Sequence, residues 1–434
     1  MEYLKGRKDK REVVCPYCRE KKSDKAYQKE ILGILFSRIP HQTLHSLELR
    51  PDTEVKTVTK LTRETKVVLS NITISDNLFF KLMARTSVEI TNVISLVGHD
   101  NSLGRCLGEF YWKTRETVRF CFDECTNEEM KQVCSNIKTM PRKGIHINAK
   151  EIHAKENGVY FLLKAWTLFD TCSPDLFLKT SKKEHIEEFL EEEDSSLWIG
   201  NAKCLDLGGY AVGILPKLGL SEENEIEKLS LDSDGLGEIS EIPQTKNNSI
   251  WVGRVKRLRL CGSSVEILPK LRLHYENVME KLELDAYDHW HIHEILKTEN
   301  NSICLGKVQR LELRGYAMGI LPKLKIHTEN VLEALELDTD YPEDVAEILE
   351  EENNSIWIGK VKRLDFKGYA IEILPKLRFH DENAVEKLGL GVYSPGNIDE
   401  ILGKENNTIW IGKMEKAELC GYAIQILPKL KPPG

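Results

Sequence analysis

Apolar and polar residues alternate in one short motif that recurs along most of this 434-residue chain. The motif reads apolar-x-x-Leu-x-Leu, and its last three positions have the two-residue period of a β-strand with one buried face. Each copy therefore predicts a short strand that turns its leucines inward and its polar residues outward. The pairs are Leu176/Leu178, Leu205/Leu207, Leu229/Leu231, Leu258/Leu260, Leu282/Leu284, Leu311/Leu313, Leu335/Leu337, Leu364/Phe366, Leu388/Leu390 and Ala417/Leu419.

The copies of this motif follow one another at two alternating distances, 29 and 24 residues. A second marker, Ile-Leu-Pro-Lys-Leu, begins every 53 residues, at Ile214, Ile267, Ile320, Ile373 and Ile426. A fixed period of this size is typical of repeat proteins, in which no single unit can bury its own apolar side chains. We therefore expect the units to stack, so that successive strands form one parallel sheet.

The segments between the strands differ in the two kinds of unit. In the 24-residue units a proline such as Pro375 lacks an amide hydrogen, which limits the segment to a turn or a short helix. In the 29-residue units Pro342 to Leu349 predicts a helix, and Asn353-Asn354 suits its C-terminal end. Four tryptophans that precede strands are expected to pack into the core: Trp198, Trp251, Trp357 and Trp410.

This repeat resembles the leucine-rich-repeat superfamily, and its two alternating unit lengths are most similar to the ribonuclease-inhibitor and NOD-like-receptor branch. The resemblance implies an α/β solenoid with a curved parallel sheet on the concave side and short helices and loops on the convex side. The family usually has an asparagine just after each strand. Here that position is held by other residues, among them Tyr210, Tyr316, Tyr369 and Tyr422, so the family's asparagine ladder is missing.

The repeat weakens towards the N-terminus but remains visible. Residues 147–152 match 200–205, and 158–164 match 211–217, again 53 positions apart. Strands of more divergent repeat copies are expected at Phe120/Phe122, Leu96 and Val67/Leu69. We therefore divide the chain into a basic N-terminal segment (1–45), divergent repeats (46–150) and regular repeats (151–434).

The outward positions of the predicted strands form two charged rows. One row, just before each first leucine, is mainly basic, and the row between the leucines is mainly acidic. Strands about 4.8 Å apart would let the rows pair diagonally along the sheet. The rows either neutralise each other or recognise a protein with complementary charges. The residues expected to contact a partner on the concave face are Arg257, Arg259, Lys281, Glu283, Arg310, Glu312, Arg314, Glu336, Arg363, Asp365, Lys367 and Lys387.

Two further patterns raise the question of metal binding. Cys15-Pro-Tyr-Cys18 and His41-x3-His45 together supply four ligands for a structural zinc, with Cys121 and Cys125 as alternative partners. The other interpretations are a disordered basic tail and a redox dithiol, since Cys-Pro-Tyr-Cys also resembles the glutaredoxin active site. His274, His327 and His380 recur every 53 residues, which would place them about 10 Å apart and so predicts loop residues rather than ligands of one metal.

Composition narrows the classes of function. The net charge is −8, although residues 1–25 carry nine Lys/Arg against five Asp/Glu. Nucleic-acid binding is therefore not expected except through that segment. The N-terminus lacks the apolar core of a secretory signal, no stretch is apolar enough for a membrane span, and the eleven cysteines are scattered. These features predict reduced thiols in a cytoplasmic protein, with the nucleus as the alternative.

The most direct hypothesis is a non-catalytic scaffold that binds a protein partner. No Ser/His/Asp set or phosphate-binding loop is visible, so neither catalysis nor a small-molecule substrate is expected. The alternatives are a substrate-recognition subunit of a ubiquitin-ligase-type complex that docks through residues 1–50, and a ribosome- or RNA-associated factor acting through the basic N-terminus. Because no polar capping unit follows the last repeat, self-association through the C-terminal end is a further expectation.

Overall fold

A parallel β-sheet of thirteen strands dominates the computed structural model. The model describes residues 40–431 apart from 52, 54–57, 100–113, 116, 123–124 and 171–173, together with 12–14, 21–23 and 38. Twelve strands follow one another in chain order, and Leu271–Leu273 pairs with the beginning of the sixth. The twelve, β1 to β12, are Thr117–Cys121, Glu151–Lys155, Asp175–Thr180, Cys204–Gly209, Glu225–Ser233, Ile250–Gly262, Val278–Ala286, Lys307–Gly315, Ala334–Thr339, Arg363–Gly368, Lys387–Val392 and Ala417–Gly421.

The leucine motif sets the register of this sheet, as predicted. Leu176 lies opposite Leu205, Leu205 opposite Leu229, and the same match continues strand by strand to Leu388 opposite Ala417. From β3 to β11 the paired leucines, with Phe366, are at most 2% exposed. They belong to one apolar core that runs from Leu49 to Leu430. The fold is thus an α/β repeat architecture compatible with a solenoid.

The 24-residue units carry a 3-10 helix after each strand. These helices are Tyr210–Lys217, Ser263–Lys270, Tyr316–Lys323, Tyr369–Lys376 and Tyr422–Lys429. In the divergent copy Leu163 stands where Pro216 stands in the next copy, and there the segment is a nine-residue α-helix, Asn157–Ala165. The contrast supports the prediction that proline limits the helix, because a proline removes a donor that an α-helix needs.

Most 29-residue units carry a short 3-10 turn that leads into one turn of α-helix, whereas the unit that begins at β5 has only the 3-10 turn. Pro342–Val345 followed by Ala346–Leu349 is the predicted helix of residues 342–349, split between the two types. The other α-turns are Glu187–Leu190, His293–Leu296 and Asp399–Leu402, and the other 3-10 turns are Lys183–His185, Leu236–Glu238, His289–His291 and Pro395–Ile398. The chain then returns through short strands, Leu197–Gly200, Ile303–Cys304 and Ile356–Val361.

These returning strands pair with strands that follow the 3-10 helices. The partners are Leu218–Leu220, Leu324–Lys325 and Leu377–Phe379. Val331–Leu332 also pairs with Ile356–Val361, and Ala384–Val385 pairs with Lys413–Met414 in a separate two-stranded sheet. The prediction that the tryptophans pack into the core is wrong for Trp198, which is 60% exposed. Trp251 and Trp357 are half-buried, each with an arginine guanidinium 5.0 Å from its ring centre.

The N-terminal part of the chain has longer helices and separate small sheets. Val67 and Leu69 lie in Lys66–Leu69, which pairs in parallel with Ser46–Leu49 and Ser87–Ile90. Leu96 lies in Ile94–His99, in a five-stranded sheet with Thr73–Ser75, Thr114–Arg115, Ile145–Ile147 and Phe169–Asp170. The helices are Asp76–Arg85 and Asn127–Thr139, with a 3-10 turn at Trp166–Leu168. The remaining strands are Glu12–Val14, Lys21–Ser23, Gln42–Thr43 and Thr59–Lys60.

Each 24-residue unit is fastened to the 29-residue unit before it by polar contacts. A buried asparagine caps the backbone of that preceding unit: the Oδ1 atom of Asn277 accepts from the Val255 amide at 2.8 Å, and its Nδ2 atom donates to the Val255 carbonyl at 3.2 Å. The lysine of Ile-Leu-Pro-Lys-Leu also bonds the backbone of the preceding unit. Lys270 Nζ donates to the Thr245 carbonyl at 2.8 Å. Asn330 repeats both of these bonds, Asn224 and Asn383 repeat only the bond to Oδ1, and Lys217, Lys376 and Lys429 repeat the lysine contact.

Two left-handed backbone positions complete this fastening. Asn354 has φ +58°, and its amide donates to the Pro375 carbonyl of the next unit at 2.9 Å. Gly315, which ends β8, has φ +58°, and a Cβ there would lie 2.4 Å from the Ala286 carbonyl oxygen. Only glycine fits this position, because it combines a left-handed φ with close backbone approach. Neighbouring strands are therefore held at a fixed separation.

Candidate partner-binding surface

The solvent side of the long sheet, called here the outer face, carries the predicted binding residues in continuous rows. Arg257, Lys281 and Arg310 lie opposite one another on β6, β7 and β8. The central row is formed by five consecutive strands: Arg259, Glu283, Glu312, Glu336 and Asp365. Further along the basic row, Arg363 on β10 lies opposite Lys387 on β11. Arg314 and Lys367 belong to a third row, in which each lies opposite Asp338 of the strand between them. The sheet thus brings all twelve predicted positions onto one face.

Diagonal pairing between the rows is present at some positions and absent from others. Lys281 Nζ contacts Glu283 at 3.0 Å and reaches across to Glu312 of the next strand at 2.6 Å. Arg259 Nε contacts Glu283 at 3.0 Å. Arg314 also pairs with Glu312, whose side chain is only 8% exposed. Lys281 is therefore the hub that lets Glu283 and Glu312 lie side by side.

Other charges on the outer face are not neutralised in this way. Arg363 Nε donates to the backbone carbonyl of Glu333 at 3.4 Å, and Arg257 Nε to that of Glu227 at 3.4 Å. Within the part of the chain that the structure describes, Glu336 and Asp365 form no ion pair. Mutual neutralisation of the rows, one of the two alternatives, therefore occurs around Lys281 but not around Glu336.

A shallow hollow lies on the outer face between β8, β9 and β10. Its walls carry four carboxylates and two cations, from Glu312, Arg314, Glu336, Asp338, Asp365 and Lys367. Glu336 is exposed to solvent. The hollow thus offers acidic acceptors to a partner, whereas the row of Arg257, Lys281 and Arg310 offers donors along the opposite edge of the strands.

A row of exposed aromatic side chains borders this face and was not recognised as a surface from the sequence. Tyr287, Tyr393 and Tyr422 directly follow the ends of β7, β11 and β12, and Tyr341 and Trp290 lie a few residues beyond a strand end. These five side chains are 42–72% exposed. Parallel strands end at the same edge of a sheet, so the aromatic groups share one border. For Tyr287, Tyr393 and Tyr422 the signal in the sequence was a tyrosine at the position where leucine-rich repeats usually have an asparagine.

The four segments that follow β5, β7, β9 and β11 are called here the acidic rim: residues 234–241, 287–294, 340–347 and 393–400. The Tyr287 hydroxyl donates to Asp234 Oδ1 at 2.5 Å, which joins the first segment to the second. The His291 ring, 3% exposed, packs edge-on against Tyr287 with ring centres 4.4 Å apart. His289 packs on Trp290 at 3.9 Å. The second segment is therefore a compact aromatic cluster beside the outer face.

Burial and the acids of the rim raise the pKa values of two tyrosines in or near the rim. Burial raises the pKa of Tyr287, and its hydrogen bond to Asp234 raises that pKa further. Burial also raises the pKa of Tyr316, with added effects of Asp344, Glu343 and Asp288. Both phenols stay protonated at neutral pH, and the Tyr287 hydroxyl uses its proton in the bond to Asp234.

The recurrent histidines have a structural place, as expected. Nδ1 of His274, His327 and His380 accepts the backbone amide two residues later, at 3.1–3.2 Å. Each histidine therefore closes a turn before the buried asparagine. No group of three or more His, Cys, Asp or Glu suited to a metal ion occurs among the described residues.

The predicted zinc ligands are only partly within the described chain. Cys15 and Cys18 lie outside the described residues. His41 and His45 are exposed and flank the strand Gln42–Thr43. Zinc binding by these four residues stays a prediction.

The last strand and its 3-10 helix expose apolar groups. Ile424 is 63% and Leu427 42% exposed. Self-association through this end also stays a prediction. In the described residues, no helix is both long and apolar enough to cross a membrane.

Comparisons of the chain with protein-family models, curated proteins and solved structures give no significant match. The interpretation of this surface therefore rests on its own geometry.

Proposed function

We propose that this chain is a leucine-rich-repeat protein that binds a protein partner through the outer face of its long sheet, and that it acts as a scaffold rather than as an enzyme. The observation that carries the proposal is the unbroken register from β3 to β12, which lines up solvent-facing side chains over ten strands. Ten strands at about 4.8 Å spacing span about 43 Å, enough for a protein interface of standard size.

The chemistry of this surface also favours a protein ligand. Charged rows of both signs lie beside exposed aromatic groups such as Tyr393 and Trp290. Aromatic side chains and arginine dominate the binding energy of protein interfaces, and charges of both signs make an interface specific for one partner. A phosphate backbone would instead require unpaired cations, whereas the central row contains Glu283, Glu312, Glu336 and Asp365 side by side.

The leucine-rich-repeat assignment rests on the 24- and 29-residue units and on their parallel stacking. The chain departs from the common family pattern because its capping asparagines lie in every second unit and bond the backbone ahead of the leucine pairs, as at Val255 and Val308. The recognition-subunit and RNA-associated alternatives depend on residues 1–50, which lie mainly outside the described residues, and they stay predictions.

The proposal is tested by photo-crosslinking in the cells that naturally express the protein. Glu336, on the outer face, is replaced by a photo-crosslinking amino acid, and Glu352, in an exposed loop of a 29-residue unit, serves as the matched control position. We expect discrete protein adducts from position 336 that are several times stronger than those from position 352. Equal adducts at both positions, or none at 336, would overturn the proposal.

A further inference from the structure

We propose that the partner places a basic, extended polypeptide segment along the acidic rim, with one lysine or arginine at about every third residue. This inference rests on the proposed function, because it names the chemistry of the protein partner. It concerns the border of the sheet rather than the outer face itself, so the two can be tested separately.

The charge of the rim is of one sign. Its four eight-residue segments contain eleven acidic residues and neither lysine nor arginine. The acids are Asp234, Glu238, Glu241, Asp288, Glu294, Asp340, Glu343, Asp344, Glu347, Asp399 and Glu400. By contrast, the basic and acidic rows of the outer face nearly cancel. A cationic ligand is therefore attracted to the rim more than to the adjoining sheet.

The aromatic groups of the rim suit the same ligand. Tyr341 and Tyr393 are 67% and 72% exposed, and Trp290 is 56% exposed. A cation held over an aromatic ring is stabilised by the ring electrons, most strongly over tryptophan. The chain already forms this contact internally, because Arg272 lies 5.0 Å from the ring centre of Trp251. Arginine or lysine side chains of a partner can dock on Trp290 in the same manner.

The second rim segment is the expected anchor. Its sequence, Tyr287-Asp-His-Trp-His-Ile-His293, differs from the corresponding segments of the other units. Beneath its surface, the Nδ1 atom of His291 is buried and has no hydrogen-bond partner among the described residues. Asp288 accepts from the backbone amide of Trp290 at 3.2 Å, which fixes its carboxylate two residues from the exposed indole. The exposed indole of Trp290 and the fixed carboxylate of Asp288 together can receive a cation.

The spacing of the rim predicts the spacing of the ligand. Asp234, Asp288 and Asp340 follow the ends of β5, β7 and β9, which are every second strand. Two strand spacings amount to about 10 Å, and an extended chain advances about 3.3 Å per residue. A segment that runs across the strand ends therefore meets one acidic unit with every third residue.

The test measures binding of labelled twelve-residue peptides to the full chain by fluorescence anisotropy. The probe has four Arg-Ala-Ser repeats. One control peptide carries the same four arginines in a single block, and another carries glutamate in place of each arginine. We expect the repeat peptide to bind more tightly than the block peptide and the glutamate peptide not to bind. Added salt should weaken binding, since exposed charges are screened.

Variants of the chain locate the binding site. Trp290→Ala, and separately Asp288→Asn combined with Asp340→Asn, should each weaken binding of the repeat peptide about tenfold. The matched controls are Tyr275→Ala, an 85% exposed tyrosine in a turn away from the rim, and Glu299→Gln. Neither control should change the affinity by more than about twofold.

Two outcomes would overturn the inference. One is equal weakening by the rim and control variants, which would mean general attraction to an acidic chain. The other is no difference between the repeat and block peptides, or no binding of either. Both outcomes leave crosslinking at Glu336 unaffected, so failure of this inference is distinguishable from failure of the proposed function.

Discussion

The side chain of Asn330 forms both hydrogen bonds of one backbone residue, Val308, in the neighbouring unit. Its Oδ1 atom accepts from the Val308 amide at 3.1 Å, and its Nδ2 atom donates to the Val308 carbonyl at 2.9 Å. Asn330 is 4% exposed, so no water can replace these bonds cheaply. The asparagine thus acts as a buried clamp between successive units.

Asn330→Ala is expected to lower the free energy of unfolding by about 2–4 kcal/mol, because it leaves a buried amide and a buried carbonyl without partners. The measurement is chemical denaturation followed by circular dichroism. Asn353→Ala, at an exposed loop position, is the matched control and should change stability by less than about 0.5 kcal/mol. Equal effects of the two substitutions would contradict the clamp.

Gly315→Ala is expected to destabilise the chain by more than about 2 kcal/mol, because its Cβ would lie 2.4 Å from a carbonyl oxygen at a left-handed φ. Gly235→Ala is the control, since nothing lies within 4 Å of a Cβ there and its φ is −136°. That control should be neutral or slightly stabilising. Thermal unfolding of both variants decides the matter, and an unchanged melting temperature for Gly315→Ala would refute the close-contact argument.

Glu372→Gln is expected to stabilise the chain at alkaline pH relative to the natural sequence. Burial raises the pKa of Glu372 to about 7, although its carboxylate accepts the Glu400 amide at 3.1 Å. The folded state therefore keeps a proton that the unfolded state releases near pH 4.5. The stability from this proton is present below that pH and is lost as the pH rises through about 7.

The difference in unfolding free energy between Glu372→Gln and the natural chain should grow by about 2–3 kcal/mol from pH 5 to pH 8. Denaturation at pH 5, 6.5 and 8 measures it. Glu382→Gln is the control, because the neighbouring Lys360 lowers the pKa of that exposed carboxyl and leaves it ionised throughout this range. A pH-independent difference for Glu372→Gln would show that its carboxyl titrates normally.

Lys281→Ala is expected to cost about 1–2 kcal/mol, because it removes an ammonium group that contacts both Glu283 and the nearly buried Glu312. Arg314 still pairs with Glu312, which limits the loss. Lys367→Ala, at an exposed position of the same face, should cost less than about 0.5 kcal/mol. If both variants lost the same stability, the hub role of Lys281 would be wrong.

The sequence was sufficient for the sheet and its register because the leucine pairs recur at distances that only stacking satisfies. It also placed the residues proposed to bind a partner on one face, since alternate residues of a strand point to the same side. It predicted that the recurrent histidines are loop residues, and the structure adds that they close turns. These successes all depend on periodicity, which is local and visible in the residues themselves.

Other features depended on three-dimensional proximity that periodicity does not encode. Asn277 lies 22 residues from Val255, and nothing in either residue indicates that the two meet. The acidic rim is not visible in the sequence because its acids lie in four separate segments that only the stacked strand ends bring together. Trp198 was misplaced because its repeat position resembles that of half-buried Trp251, although it is 60% exposed.

The contacts between 24-residue and 29-residue units restrict how the repeat number can change during evolution. Asn277, Lys270 and the Pro269 carbonyl each join a 24-residue unit to the 29-residue unit before it. Loss of one unit alone would bring two units of the same length together and leave these groups facing the wrong neighbour. Viable gains and losses of sequence are therefore expected in whole pairs, so lineages should differ in length by multiples of 53 residues.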